Sequence, residues 1–160
     1  MNRLAATIAL LVLWPLTGAA QTDIAIGGLT ADPTAPVEVA ADSLSVDQTT
    51  GEAVFSGNVV IGQGDMRIAA GRVVVVYDDA TGQIVRLTVS GGVTFVTATE
   101  AAEAAEAVYD LTAQTLTLIG EVLLTQGASA ISADRMVIDL GAGTARMDGR
   151  VRTVLTQGGN

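Results

Sequence analysis

The sequence predicts an all-β chain of antiparallel strands with one buried face, and three observations carry this. The composition is 49% hydrophobic but only 3% aromatic, with 18 glycines. Its Val, Thr, Ile and Leu runs are broken by Gly and Asp, a mixture that suits strands and tight turns. Apolar and polar residues alternate with period two along the longer segments. One unit also recurs: residues 55–59 (FSGNV), 89–93 (VSGGV), 118–122 (LIGEV) and 147–151 (MDGRV) share the pattern apolar-x-Gly-x-Val. A chain of 160 residues suffices for one sizeable core.

The first element is not part of that core. Residues 1–20 combine Arg3, an apolar run over 4–14, the helix-breaking Pro15 and the small residues Gly18, Ala19 and Ala20. This is the pattern of an export signal cleaved near Ala20. The rival, a retained membrane anchor, needs about 20 apolar residues, and the run is shorter. Residues 21–36 carry two X-Pro steps and no sustained period, so they read as a flexible leader. The β domain is expected over 37–158.

Within it, Gly57, Gly91, Gly120 and Gly149 are spaced 34, 29 and 29 residues apart. Each follows an apolar strand and a turn rich in Asp, Thr and Gly, at 41–51, 70–82, 105–115 and 133–143. Four such units fill the domain. Three of them close on Gln-Gly, at 63–64, 126–127 and 157–158. Reading every second residue through the glycines gives apolar rows: Ala53, Phe55, Val59 and Ile61; Val85, Leu87, Val89, Val93 and Phe95; Leu116, Leu118, Val122 and Leu124; Ala145, Met147 and Val151. Met66, Ile68, Met136 and Ile138 extend the same face. The rows between are largely polar, as in Ser56 and Asn58 or Arg146 and Asp148, so each strand has one wet side. Phase places the four glycines in the apolar row. Two compatible readings stand there: a bend that needs φ freedom, or room for a groove between sheets. Residues 98–110 are Ala- and Glu-rich with a helical flavour, and the expectation is a loop leading into a strand at Val108.

Charge and chemistry exclude several function classes. The net charge is −9, and all eight cations are Arg; an acidic surface repels phosphate backbones, so no nucleic-acid partner is expected. With no His and no Cys, the chain lacks the usual general base, the thiolate and most transition-metal ligands, so no catalytic residue, metal or cofactor is assigned. Residues 76–82 (VYDDATG) superficially suggest a calcium loop, but the Asp-Asp-x-x-Gly spacing is that of a hairpin turn.

Residues 37–77 resemble the opening of the OstA-like family of lipopolysaccharide-transport proteins. The likeness rests on Ala41-Asp42, Leu44, Val46, Asp47, Gly51, Phe55, Gly57-Asn58-Val59 and Gln63-Gly64, and it returns in weaker form as far as Gln157. It implies a single-domain, open, twisted antiparallel β-jellyroll of about sixteen short strands, which holds lipid acyl chains in an apolar groove in the periplasm. On that reading the groove is lined by Phe55, Val59, Ile61, Met66, Ile68, Val89, Val93, Phe95, Leu118, Val122, Leu124, Met136, Ile138 and Met147. An acyl chain offers no partner to a buried charge, and Met suits irregular ligands. The same row would also serve as an ordinary sandwich core.

Unpaired edge strands are expected at 37–47, with Val37 and Val39, and at 144–157, with Arg146, Arg150 and Arg152. Such edges serve strand addition or are guarded by charge. The resemblance implies that the first edge meets an LptC-like inner-membrane protein. It implies that the last meets an LptD-like outer-membrane protein or another copy, head to tail. Two alternatives remain: a membrane-anchored LptC-like component of the same pathway, and a structural β-repeat surface protein.

Overall fold

A computed structural model describes residues 23–25, 32 and 34–155; the export signal expected at 1–20 lies outside the described residues. These form thirteen strands and no helix: β1 (Asp23–Ala25), β2 (Glu38–Ala40), β3 (Ser43–Asp47), β4 (Glu52–Gln63), β5 (Met66–Tyr77), β6 (Ile84–Ser90), β7 (Val93–Val96), β8 (Glu100–Ala104), β9 (Glu106–Asp110), β10 (Thr115–Gln126), β11 (Ser129–Asp139), β12 (Thr144–Asp148) and β13 (Arg152–Val154). Every pairing is antiparallel.

The four long strands set the layout, because each changes partner halfway. β4 pairs first with β3 and then with β2. β5 passes from β7 to β6, β10 from β9 to β8, and β11 from β13 to β12. Two layers result. The first holds β3, β6, β9, β12, β1 and one half of each long strand; the second holds β2, β7, β8, β13 and the other halves. This is an open antiparallel jellyroll. Its strand count falls below sixteen because each long strand supplies two pairing segments without a break.

The layers meet along a corner, and the glycines make it. Gly57 and Asn58 both have positive φ, as do Gly91 and Gly92, Gly120 and Glu121, and Gly149 and Arg150. Two successive left-handed residues turn the chain and leave the period-two alternation in phase on both sides. Backbone bonds tie neighbouring corners, Asp42 N–H to Gly57 C=O at 2.9 Å and Asp134 N–H to Gly149 C=O at 2.9 Å. The glycines therefore do not lie in the apolar row where phase put them. Gly91 and Gly149 are exposed and the other two half-buried, each facing the corner of the adjacent strand.

Inward side chains of both layers fuse into one core that includes Ile61, Ile68, Val73, Leu87, Phe95, Leu116, Leu124, Met136 and Ile138. Ile84, outside the apolar row that runs through Val85 and Leu87, also packs against it, because a register shift between Val76 and Tyr77 changes the phase at that end of β6. Residues 98–110 are not a loop before Val108: they contain β8 and β9. Ala102 and Ala107 are buried between larger ladder neighbours, Phe95 and Leu124 for the first and Val89 and Leu118 for the second, so tertiary burial overrides the helical taste of alanine. Within the segment expected as a leader, β1 pairs with β12 through Asp23↔Arg146 and Ala25↔Thr144.

Four turns at the tip of the first layer share one design. Asp47, Asp78, Asp110 and Asp139 each accept a backbone N–H within their own turn, from Thr49 at 2.7 Å, Thr81 at 2.8 Å, Ala113 at 2.9 Å and Ala142 at 2.8 Å. The stretch that suggested calcium is thus a capped hairpin. The N–H groups of Thr49 and Thr50 hold the Asp47 carboxyl below its ordinary value, and the Thr81 backbone and hydroxyl do the same for Asp78. A folded-state pKa below the unfolded one gives stability present above the unfolded value and lost as pH falls through the folded one. The urea midpoint is therefore expected to drop once pH falls below about 4. A double Asp47→Asn, Asp78→Asn variant should lose less of its midpoint on acidification than the parent; an equal loss would remove the turns as the cause.

Candidate functional site

The interior between the layers is the candidate site. Of the fourteen residues assigned to a groove, Val59, Ile61, Met66, Ile68, Val93, Phe95, Val122 and Leu124 line the second layer. Val89, Leu118, Met136, Ile138 and Met147 line the first. All thirteen are buried, and Phe55 is half-buried near the β3 edge. The lining is aliphatic except for Phe95, Phe55 and Tyr109. Among the described residues the buried polar or charged side chains are Gln63 and Glu100, both near the tip of the second layer. Glu100 accepts a bond of 2.7 Å from Gln126 Nε2. Such a surface can hold hydrocarbon and little else, because burying a polar group without a partner is costly.

The two layers are in contact. Phe95, Ile61, Ile68, Leu87, Leu118 and Met136 are all 0% exposed, so the row is a closed core in this state. Among the described residues, apolar surface is most exposed near the sheet ends. Leu44 and Val46, opposite Phe55 and Ala53 in the ladder, are 56% and 62% exposed, and Val151 and Leu155 at the other end are 51% and 72% exposed.

The edges differ in part from expectation. β2 and β3 form the first edge, each pairing with β4 alone. Val37 and Val39 there are partly buried against the core. At the far end β13 is an edge but β12 is not, because β1 covers it. The arginines do not gather into one docking patch. Arg146 lies on β12 in the first layer, Arg152 on β13 in the second, and Arg150 at the corner between them. Arg150 is engaged with Asp134, its Nη2 2.6 Å from Oδ1 and its Nε 3.1 Å from Oδ2. That bond holds the Asp134 carboxyl below its ordinary value. The pair is solvent-exposed, so its value for stability is small.

Sequence reasoning missed two sets of residues. Asp42, Gly71, Ala105 and Asp134 stand opposite the corner glycines; the signal was the small-residue pair Ala-Asp, Ala-Gly or Ala-Ala that precedes the turn in each unit. Gln63 was noticed only as part of the Gln-Gly pair that closes its unit and of the family pattern, and Tyr109 not at all. Yet Tyr109 Oη, 3% exposed, donates a 2.7 Å hydrogen bond to Gln63 Oε1. Burial pushes the Tyr109 phenol above its ordinary pKa, which keeps it a neutral donor.

A two-layered open jellyroll with a charge-poor aliphatic interior defines the class, an apolar-cored β protein with free strand edges. The chain belongs to the family described as LptA/(LptD N-terminal domain) LPS transport protein, whose family model matches residues 38–144, and it is thereby a protein of lipopolysaccharide transport. It is 27% identical over 148 residues to an uncharacterised protein of Rhizobium meliloti (strain 1021), across 86% of this chain and 80% of that one. Its fold matches the crystal structure of LptH, the LptA homologous periplasmic component of the lipopolysaccharide transport device of Pseudomonas aeruginosa. The TM-score is 0.70 at 21% identity, covering 79% of this chain and 99% of that one.

Proposed function

We propose that this chain is a periplasmic carrier and bridge that shelters lipopolysaccharide acyl chains between its two layers. It links an LptC-like inner-membrane protein to an LptD-like outer-membrane protein, and its free edges add strands to these partners or to further copies. The observation that carries the reading is the continuous aliphatic row from Val59 to Leu124 in the second layer and from Val89 to Met147 in the first, with Arg excluded from it. Family membership supports the same conclusion. Because the row is packed shut, loading requires the layers to part, and the cost is limited: acyl chains replace one apolar contact with another. The exposed Leu44 and Val46, beside the half-buried Phe55, provide an apolar sill where the first layer is uncovered.

Site-specific photocrosslinking in cells tests this. A photoreactive residue at Val59, Val93 or Val122 is expected to yield lipopolysaccharide adducts, and one at Asn58 or Thr117 on the outer side is not. Absence of adducts from both rows, with the protein folded and exported, would make the interior a permanently closed core and favour a structural β-repeat protein.

A further inference from the structure

Among the described residues, a buried hydrogen bond crosses between the layers of this jellyroll. Tyr109 sits in β9 of the first layer, between Leu87 and Leu116 in the ladder. Gln63 ends β4 in the second layer, opposite Met66. Their side chains meet inside the molecule at 2.7 Å, and Gln63 is 4% exposed. The other end of the Gln63 amide is used as well: its Nε2 donates to the Ala35 carbonyl at 3.2 Å. Ala35 belongs to a tight turn held by Ala35 N–H to Asp32 C=O and by Thr34 on the Asp32 carboxylate. This turn lies on the β4–β5 hairpin, where a Cβ added at Gly64 would come within 3.9 Å of both Asp32 and Ala35.

The repeat gives an internal comparison. Gln126 stands in the third unit where Gln63 stands in the first, each before a glycine at the end of a long strand. Gln126 bonds Glu100, its own neighbour in the same layer. Position alone does not send such a glutamine across the core; Tyr109 draws Gln63 there.

We propose that Tyr109, Gln63 and the Ala35 carbonyl form a latch that holds the layers together at the tips opposite the glycine corner, and that its release precedes loading. The inference rests on the carrier reading above. Apolar contact between layers is non-directional and can be exchanged for an acyl chain at little cost. A buried hydrogen bond is different: parting it leaves a hydroxyl and an amide without partners in a dry interior. The latch therefore sets the closed state, and freeing Gln63 also frees the turn seated on the hairpin. It is a positioning element, since it acts on the separation of the layers.

The chain has no cysteine, so spin labels at Asp65→Cys and Thr112→Cys, both exposed tip residues, report that separation directly. In the full chain, Tyr109→Phe is expected to broaden the label-to-label distance distribution outward without any lipid present. It should raise the association rate of fluorescently labelled lipopolysaccharide about tenfold, the factor one hydrogen bond is worth in an opening equilibrium. Tyr77→Phe, on the surface, should change neither. A Tyr109→Phe, Gln63→Met variant removes both buried polar side chains and leaves only the half-buried Ala35 carbonyl to be met by water, so most of its stability should recover while its tips stay loose. Unchanged tip distances in both variants overturn the latch. If the parent chain takes up no lipopolysaccharide, the carrier reading fails, and the latch still stands or falls on the distances in the lipid-free protein.

Discussion

Phe95→Ala is expected to lower the unfolding free energy by about 3–5 kcal/mol, the range for deleting a buried aromatic ring. Phe95 is 0% exposed, and its ladder neighbours are Ile68 on β5 and Ala102 on β8. Ala102 cannot extend into the space a missing ring would leave, and both backbones are fixed by their ladders, so the cavity persists instead of collapsing. The lost energy is therefore transfer and cavity together. Urea unfolding with an unchanged slope and a lower midpoint is the measurement. A loss below about 1 kcal/mol would mean that the layers can slide to close the gap, and that the core is less tightly packed than the exposures indicate. The same variant bears on the proposed function: a dry cavity lined by aliphatic groups admits small apolar molecules, so on the carrier reading binding of hydrocarbon should survive the lost stability.

The core was legible because its signal is local and redundant. Val59, Ile61, Val93, Val122 and Leu124 each sit in a two-residue alternation that survives the corner, since two left-handed residues keep the phase. The Asp-capped turns were legible for a similar reason: one residue, such as Asp78, bonds backbone groups two and three positions on. What was hidden depends on partners distant in sequence. Residues 100–110 became strands because Ala102 and Ala107 face Phe95 and Val89 across the ladders, which alanine's own preference does not reveal. β1 exists through β12, more than a hundred residues away. The bond from Tyr109 to Gln63 spans 46 residues and has no periodic signature.

Layered packing also clarifies how a closed core could serve the proposed carrier role. Each long strand contributes to both layers and is bent at a single corner, so the layers are joined on one side by covalent backbone and on the other by side-chain contact alone. Parting them at the tips breaks no ladder hydrogen bond within either layer. The strain of opening falls on the corner residues, and that makes their geometry the second determinant of behaviour after the apolar row.

Gly91→Val is accordingly expected to cost about 3 kcal/mol or more, although Gly91 is exposed and lies outside the core. Its φ of +82° is one a β-branched residue rarely adopts. A Cβ there would stand 3.1 Å from the Gly71 Cα and 3.4 Å from its nitrogen. Those atoms are backbone, fixed in β5 between the ladder-paired residues Ala70 and Arg72, so neither side can yield without disturbing register. The second position of each corner is different. Gly92 has open space around its missing Cβ, and Asn58, Glu121 and Arg150 show that side chains are accommodated there despite positive φ. Glu121→Gly should change stability by no more than about 1 kcal/mol. Urea midpoints of the two variants decide the matter. A large loss at Gly91 with little change at Glu121 makes close backbone approach the reason for glycine at the corner, whereas similar small effects would leave only its φ freedom.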